Sequence, residues 1–276
     1  MFHLAAFDVT AAVNDANVDM TAFATDPAFS TRNNHFVFTE PYQLLAAYHG
    51  GASALRARLN VPSINAIAPH HIWGVNRSLA IPAVPVIEDY RAYPLRLPVA
   101  EEIAIQESGN LGAATEKEKT FLWIAPPNWT RNIPDGILHL TVRATAAVVR
   151  GADAWGAFGA LVFEQTLRGG WYSVVGCEVF EANSLAFLLN FPRQPQVQGR
   201  KLFPGSVCLN AVGNFPPFYD RTWLGHWGTF HTFEPPTMAV CATAAGAGVQ
   251  EVRLDLVYHG DSPPQSLVSS AMIPTS

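Results

Sequence analysis

Apolar and polar residues alternate along much of this chain with the period of short β-strands. From Ile137 to Val149, Leu138, Leu140, Val142, Ala144, Ala146 and Val148 fall on one face, with His139, Thr141, Arg143 and Thr145 on the other. A period of two is what a pleated strand with one buried side requires. Gln250 to Tyr258 repeats it: Val252, Leu254, Leu256 and Tyr258 oppose Glu251, Arg253 and Asp255. Shorter runs rich in Val, Phe, Trp, Cys or Ala predict further strands at 158–167, 171–181, 185–191, 206–212, 229–233 and 238–243, each bounded by turn residues. The Arg168-Gly169-Gly170 loop is short enough to join 158–167 and 171–181 as an antiparallel hairpin. No helical stretches alternate with these strands, so a parallel α/β sheet is not expected, whereas eight antiparallel strands with uneven loops suit a jelly roll or related sandwich.

The N-terminal half is less regular. Leu95 to Ile105, with Glu101 breaking its apolar face, and Lys119 to Ala125 predict two strong strands. Weaker extended runs lie at 2–10, 35–38 and 79–87, and Pro82 and Pro85 restrict the last to a sheet edge or an arm. One helix is predicted over 41–59. Thr39 caps it, Pro41 lies in its first turn, Leu44, Leu45, Tyr48, Ala52, Leu55 and Leu59 share a face, Gly50-Gly51 divides it, and Val61-Pro62 ends it. The turn-rich segment 125–136 is the natural boundary, giving residues 1–127 with the helix near 41–59, and residues 128–276 with the second barrel and an uncharged Ser- and Pro-rich tail after Ser262.

Composition sharpens this picture in one respect. The 276 residues are 49% hydrophobic and only 14% charged, well below the usual quarter or so. A surface so short of charge implies that sister molecules or partners cover part of it. No stretch reaches the length of uninterrupted apolar residues that a membrane span needs. The N-terminus, with acids and no basic n-region, does not read as a secretory signal, so a cytosolic origin is expected. The net charge is −5, and Asp8, Asp15, Asp19 and Asp26 precede the first cation, Arg32, so no direct nucleic-acid binding is expected.

Candidate chemistry is sparse. The chain has no HExxH, Walker-type loop, GxGxxG, GxSxG elbow or EF-hand loop. Cys177, Cys208 and Cys241 read as small buried thiols. His226, His231 and Glu234 are a poor metal set, because histidines five apart on a strand point to opposite faces, and adjacent His70 and His71 diverge likewise. The best enzyme reading pairs Glu164 with Glu178 on opposite arms of the predicted hairpin as acid and base of a glycoside hydrolase, with Trp155, Trp171 or Tyr172 as sugar platforms. The plainer reading makes them solvent-facing residues of the alternation. The aromatics lack the interleaved cations of a nucleic-acid surface. The NRS at 76–78 and NWT at 128–130 are glycosylation sequons only in a secreted eukaryotic protein. No catalytic residue, metal or cofactor is assigned.

The pattern of PLRLPVAEEIAIQES, EKTFLWIAPPN, GALVFEQTLRGGWYSVVGCEVF and VQEVRLDLVYHG, charge-poor strands between long loops, resembles the double jelly-roll major capsid proteins of adenovirus-like, membrane-containing bacteriophages. The resemblance implies an all-β fold of two barrels side by side with one or two short helices. It also implies homotrimeric capsomers that tile an icosahedral virion in the host cytoplasm, contacts with neighbouring capsomers and other capsid or spike proteins, and an internal membrane beneath. A single jelly roll over 95–262 with a long N-terminal extension is the alternative fold. A jelly-roll glycoside hydrolase or a carbohydrate-binding spike module is the alternative function.

Overall fold

The computed structural model describes residues 3–11, 18–25, 30–32, 35–51, 56–76, 88–107, 116–129, 135–152, 155–180, 184–192, 200–204, 226–242 and 245–264. The described residues are almost all β. In the N-terminal half the strands are β1 (His3–Ala11), β2 (Val18–Asp19), β3 (Thr21–Thr25), β4 (Ser30–Arg32), β5 (His35–Val37), β6 (Tyr42–Gly51), β7 (Arg56–Asn60), β8 (His70–Asn76), β9 (Glu88–Asp89), β10 (Leu95–Leu97), β11 (Glu102–Glu107) and β12 (Glu116–Ala125). One short helix, α1 (Pro62–Asn65), follows β7. The C-terminal half holds β13 (Leu138–Ala152), β14 (Gly159–Ala160), β15 (Val162–Phe163), β16 (Trp171–Phe180), β17 (Ser184–Asn190), β18 (Arg200–Pro204), β19 (Gly228–His231), β20 (Thr237–Ala242) and β21 (Gly246–Gly260).

Strand order is jelly-roll-like in both halves. In the C-terminal half one layer runs β13-β21-β16-β19 and the other β14-β20-β17-β18. Among these eight strands the first lies beside the last, the last beside the third and the third beside the sixth, while the other layer runs second, seventh, fourth, fifth. That is the interleaving produced by two Greek keys. With the short flanking strands β2, β3, β4 and β9 set aside, the N-terminal half follows the same rule, with β1-β12-β6-β10 in one layer and β5-β11-β7-β8 in the other. The layers join at corners where strands run parallel, β6 beside β8 and β13 beside β20.

Each sandwich closes over a core. Between the N-terminal layers lie Ala5, Phe7, Leu44, Ala47, Leu122 and Ile124 from one side and Phe36, Ala57, Leu59, Ile72, Ile103 and Ile105 from the other. Phe7 and Phe36 meet edge to face at 4.9 Å. In the C-terminal half Val142, Ala146, Leu254 and Val174 face Phe187, Leu189, Met238 and Val240. This second cluster also takes in Ala6, Leu45, Ala46, Tyr48, Phe121 and Trp123, the opposite face of β1, β6 and β12. The sheet of β1, β12 and β6 is therefore buried on both sides.

That double burial corrects the helix expected over 41–59. The segment forms β6 and β7, with residues 52–55 outside the described residues. A strand covered on both faces reads as a continuous apolar run, and LLAAY satisfies helical and strand periodicity alike. The one described helix lies just beyond, where Glu101 accepts a hydrogen bond from the Ser63 backbone N–H at 2.9 Å. The strand expected over 95–105 is two, because Pro98 to Glu101 carries the chain from one layer to the other. Ala100 adopts φ 62° there, and its N–H donates to the Phe38 carbonyl. The hairpin expected over 158–181 is also corrected: β15 pairs with β13, whereas β16 pairs with β21 and β19. The runs expected at 206–212 and 79–87, and the tail from 265, lie outside the described residues.

Candidate functional site

The outer face of β13 and β21 gathers a set of charged and hydroxyl groups. Alternation places His139, Thr141, Arg143, Thr145, Ala147 and Val149 on one face, opposite Val257, Asp255, Arg253, Glu251, Val249 and Ala247 in register, with Val257 and Asp255 themselves buried. Arg143 grips Glu251 with two bonds of 2.6 Å, from Nε and from the terminal guanidinium nitrogen, and reaches Glu164 at 3.4 Å. The hydrogen bond from Arg143 holds the Glu251 carboxyl below its ordinary value, and the same contact raises that of Arg143. Thr141 donates to Asp255 at 2.5 Å, and Arg253 lies 3.6 Å from the same carboxylate. Beyond this charged ladder the face turns apolar. Val149, Val162 and Val249 are 55%, 64% and 67% exposed, and the register sets all three on one side of the sheet.

Strand pairing sets Glu164 and Glu178 apart. Glu164 follows β15 beside Arg143, and Glu178 sits in β16 opposite Arg253 of β21, its side chain outside the described residues. From β15 through β13 and β21 to β16 is three inter-strand steps, roughly 14 Å at about 4.8 Å each. Glycosidase pairs need about 5–9.5 Å. The proposed sugar platforms are occupied as well. Tyr172 is in the core, Trp155 packs against it, and Trp171 is half-buried edge-on to His231 at 5.2 Å. A shallow depression of about 260 Å³ beside Phe163, Leu167 and Thr232 falls short of the roughly 300 Å³ at which small-molecule pockets begin.

The histidines are likewise engaged apart. His226 contacts the Thr229 hydroxyl at 2.8 Å, while His231 packs between Trp171 and Phe233. His70 contacts the Tyr90 hydroxyl at 3.0 Å, and Tyr90 donates in turn to Glu88. Burial pushes the Tyr90 hydroxyl up and the His70 imidazole down. Among the described residues no three His, Cys, Asp or Glu side chains converge on a metal position. Cys177 and Cys241 are buried thiols, and Cys208 lies outside the described residues.

One arrangement that sequence spacing misses has the outline of an activated serine. Ser173 contacts His259 Nε2 at 2.8 Å, and His259 Nδ1 lies 3.1 Å from the Asp135 carbonyl. That carbonyl can only accept, so Nδ1 carries the proton and Nε2 accepts from Ser173. Burial holds the His259 imidazole below its ordinary value. Yet Ser173 and its neighbour Thr229 are both fully buried, so no substrate reaches the Oγ and the chain of bonds braces β16, β19 and β21 instead. Residues 86 apart in sequence form this contact, and no local motif announces it.

No helix among the described residues is long and apolar enough to cross a membrane. No protein-family model and no curated protein sequence matches this chain. Among solved structures it is similar to the major capsid protein P2 from bacteriophage PM2, at 8% identity and a TM-score of 0.23, with 95% of this chain and 99% of that one covered. So low a score transfers no role, and the functional reading rests on strand order, burial and surface composition.

Proposed function

We propose that this chain is a structural shell subunit, a major coat protein whose two jelly-roll barrels, one on each side of the 125–136 segment, stand side by side and assemble with further copies into an icosahedral virion. The observation that carries this reading is the strand order, first-last-third-sixth over second-seventh-fourth-fifth, which occurs twice in one chain around a shared apolar cluster. A pair of sandwiches sharing an apolar cluster is a building block, and here it comes with few charges and with exposed valines on one sheet face. Glu164, Glu178 and the histidines give the enzyme alternative no assembled site among the described residues.

The finer expectations belong to the same proposal: homotrimeric capsomers, lateral contacts with neighbouring capsomers and spike proteins, a membrane beneath the shell, no contact with the genome, and assembly in the host cytoplasm. Burying about 2,000 Å² of mainly apolar surface per subunit gives a gross term of roughly 50 kcal/mol at about 25 cal/mol per Å², before ordering losses are subtracted. Many modest contacts of that kind hold a shell. Sedimentation velocity and negative-stain electron microscopy of the purified chain are expected to show trimers and larger particles. A monomer at all accessible concentrations, with no particles, refutes the proposal.

A further inference from the structure

On the outer face of the second N-terminal layer, one guanidinium meets no acid among the described residues. β7 alternates, with Ala57 and Leu59 in the core and Arg56 and Arg58 on the opposite face. Register sets His71 of β8 beside Arg58 on one side and Gln106 of β11 on the other, so all three share that face. One strand further, Asp19 of β2 lies opposite Gln106 and accepts its amide hydrogen at 2.8 Å. The row across the sheet is thus Asp19, Gln106, Arg58, His71. Asp19 is held by Gln106 and stands two strands from Arg58, roughly 10 Å at about 4.8 Å each. Glu107, next along β11, is buried on the inner face with Ile105. The stretches of chain that adjoin β7, β8 and β11 at this end, 52–55, 77–87 and 108–115, contain no Asp or Glu.

Two nitrogens in this row, Arg58 Nε and His71 Nδ1, are buried without a hydrogen-bond partner among the described residues. The guanidinium nitrogen always carries its hydrogen and can only donate. A buried donor left unmet costs stability, and folded proteins nearly always supply it with an acceptor. Both side chains are otherwise only partly covered, so an acceptor has a route in from solvent. Burial, and after it the charges of Arg56, Arg58 and His70, hold the His71 imidazole below its ordinary value, which sets both guanidinium groups close to the ring.

We propose that Arg58 and His71, with Arg56 beside them, form a binding site for a tetrahedral oxyanion of the phosphate class on the outer face of β7 and β8.

Side chains opposite each other in a strand pair start about 4.5–5.5 Å apart, and Arg56 and Arg58 start about 7 Å apart along β7. Donors so spaced on two strands surround one compact anion. A single guanidinium fork satisfies a carboxylate, whereas a phosphate monoester brings a charge of about −1.5 to −2 and three strong acceptor oxygens, enough for two guanidinium groups and an imidazole N–H. Arg56 has a contact of its own, so the site rests on Arg58 and His71 and takes added charge from Arg56. It goes beyond the shell reading and needs only the folded N-terminal sandwich.

The test is isothermal titration calorimetry of the full chain with sodium phosphate at pH 7, with chloride holding the ionic strength constant. One saturable site per chain is expected. Arg58→Gln is expected to weaken it at least about tenfold, the effect of losing a charge-assisted hydrogen bond. Arg91→Gln removes the same charge from an arginine already bridged to Asp89 and is expected to leave the affinity unchanged. No saturable binding by the wild-type chain, or equal losses in the two variants, overturns the proposal. Should Arg58→Gln fail to fold, imidazole spectra of the wild-type chain decide: phosphate is expected to shift His71 before His35 and His139, and equal shifts overturn the proposal. Vesicles of phosphatidic acid against phosphatidylcholine then identify the source. Co-sedimentation with the former, reversed by free phosphate, assigns a lipid headgroup; its absence assigns the free ion, and either upholds the site.

Discussion

Phe121 and Leu122 are neighbours on β12, both completely buried, and they point into different cores. Phe121 joins the cluster shared by the two halves, beside Tyr48 and Trp123, and Leu122 joins the cluster inside the N-terminal sandwich. Replacing either by Ala deletes fully buried surface. For Phe121, about 150–250 Å² at about 25 cal/mol per Å² gives roughly 4–6 kcal/mol, close to the 3–5 kcal/mol or so found for Phe→Ala in cores. For Leu122 the comparable cost is about 2–5 kcal/mol. The sizes overlap, so location must distinguish them. Hydrogen exchange read by mass spectrometry on peptides from 3–125 and 138–260 is the assay. Leu122→Ala is expected to raise exchange in the N-terminal peptides alone, and Phe121→Ala in β12 and β6 and also in β17 and β20. The reasoning is refuted if Phe121→Ala leaves the C-terminal peptides unchanged, or if both variants loosen both halves alike.

Three further outcomes follow from features already described. Val249→Lys, on the exposed end of the β13–β21 face, is expected to change thermal stability by less than about 0.5 kcal/mol while reducing the sedimenting assembly; unchanged particles would remove this face from the shell contacts. Gly156→Ala would bring a methyl group 1.5 Å from the backbone oxygen of Val149, so a loss of about 3 kcal/mol or more is expected on urea unfolding, and a neutral result would contradict the packing at the β13 corner. His259 is held below its ordinary value by burial, so the folded state takes up fewer protons than the unfolded one below about pH 6.5. That contribution is complete above about pH 6.5 and is lost as pH falls, and His259→Gln is expected to flatten the acid-side decline in melting temperature.

Strands with one solvated face were legible in the sequence; of the doubly buried strands, β12 and β1 read as extended and β6 did not. β13 and β21 alternate because Arg143 and Glu251 stand in water while Val142 and Val252 do not. β6 has no such contrast: Leu44 and Ala47 enter one core, Leu45, Ala46 and Tyr48 the other, and the segment passes for a helix. The error at 158–181 has a different source. A short loop between two apolar runs favours local pairing, but Trp171–Phe180 finds a longer and better buried partner in β21. Such local pairing would also have brought Glu164 and Glu178 together. The contact of Ser173 with His259 depends on a register between distant strands, which residue types do not reveal.

The adjacency of β13 and β21 bears on how the chain is made. Thr141 and Asp255, bonded across this pair, are 114 residues apart. At about 5–20 residues per second a ribosome needs roughly 6–23 s to deliver the partner. Throughout that interval thirteen residues of β13, Leu138 to Arg150, wait without their partner strand on an apolar-faced edge. Slowing translation downstream of residue 152 should thus lower soluble yield, and a holdase-type chaperone that masks extended apolar segments should restore it.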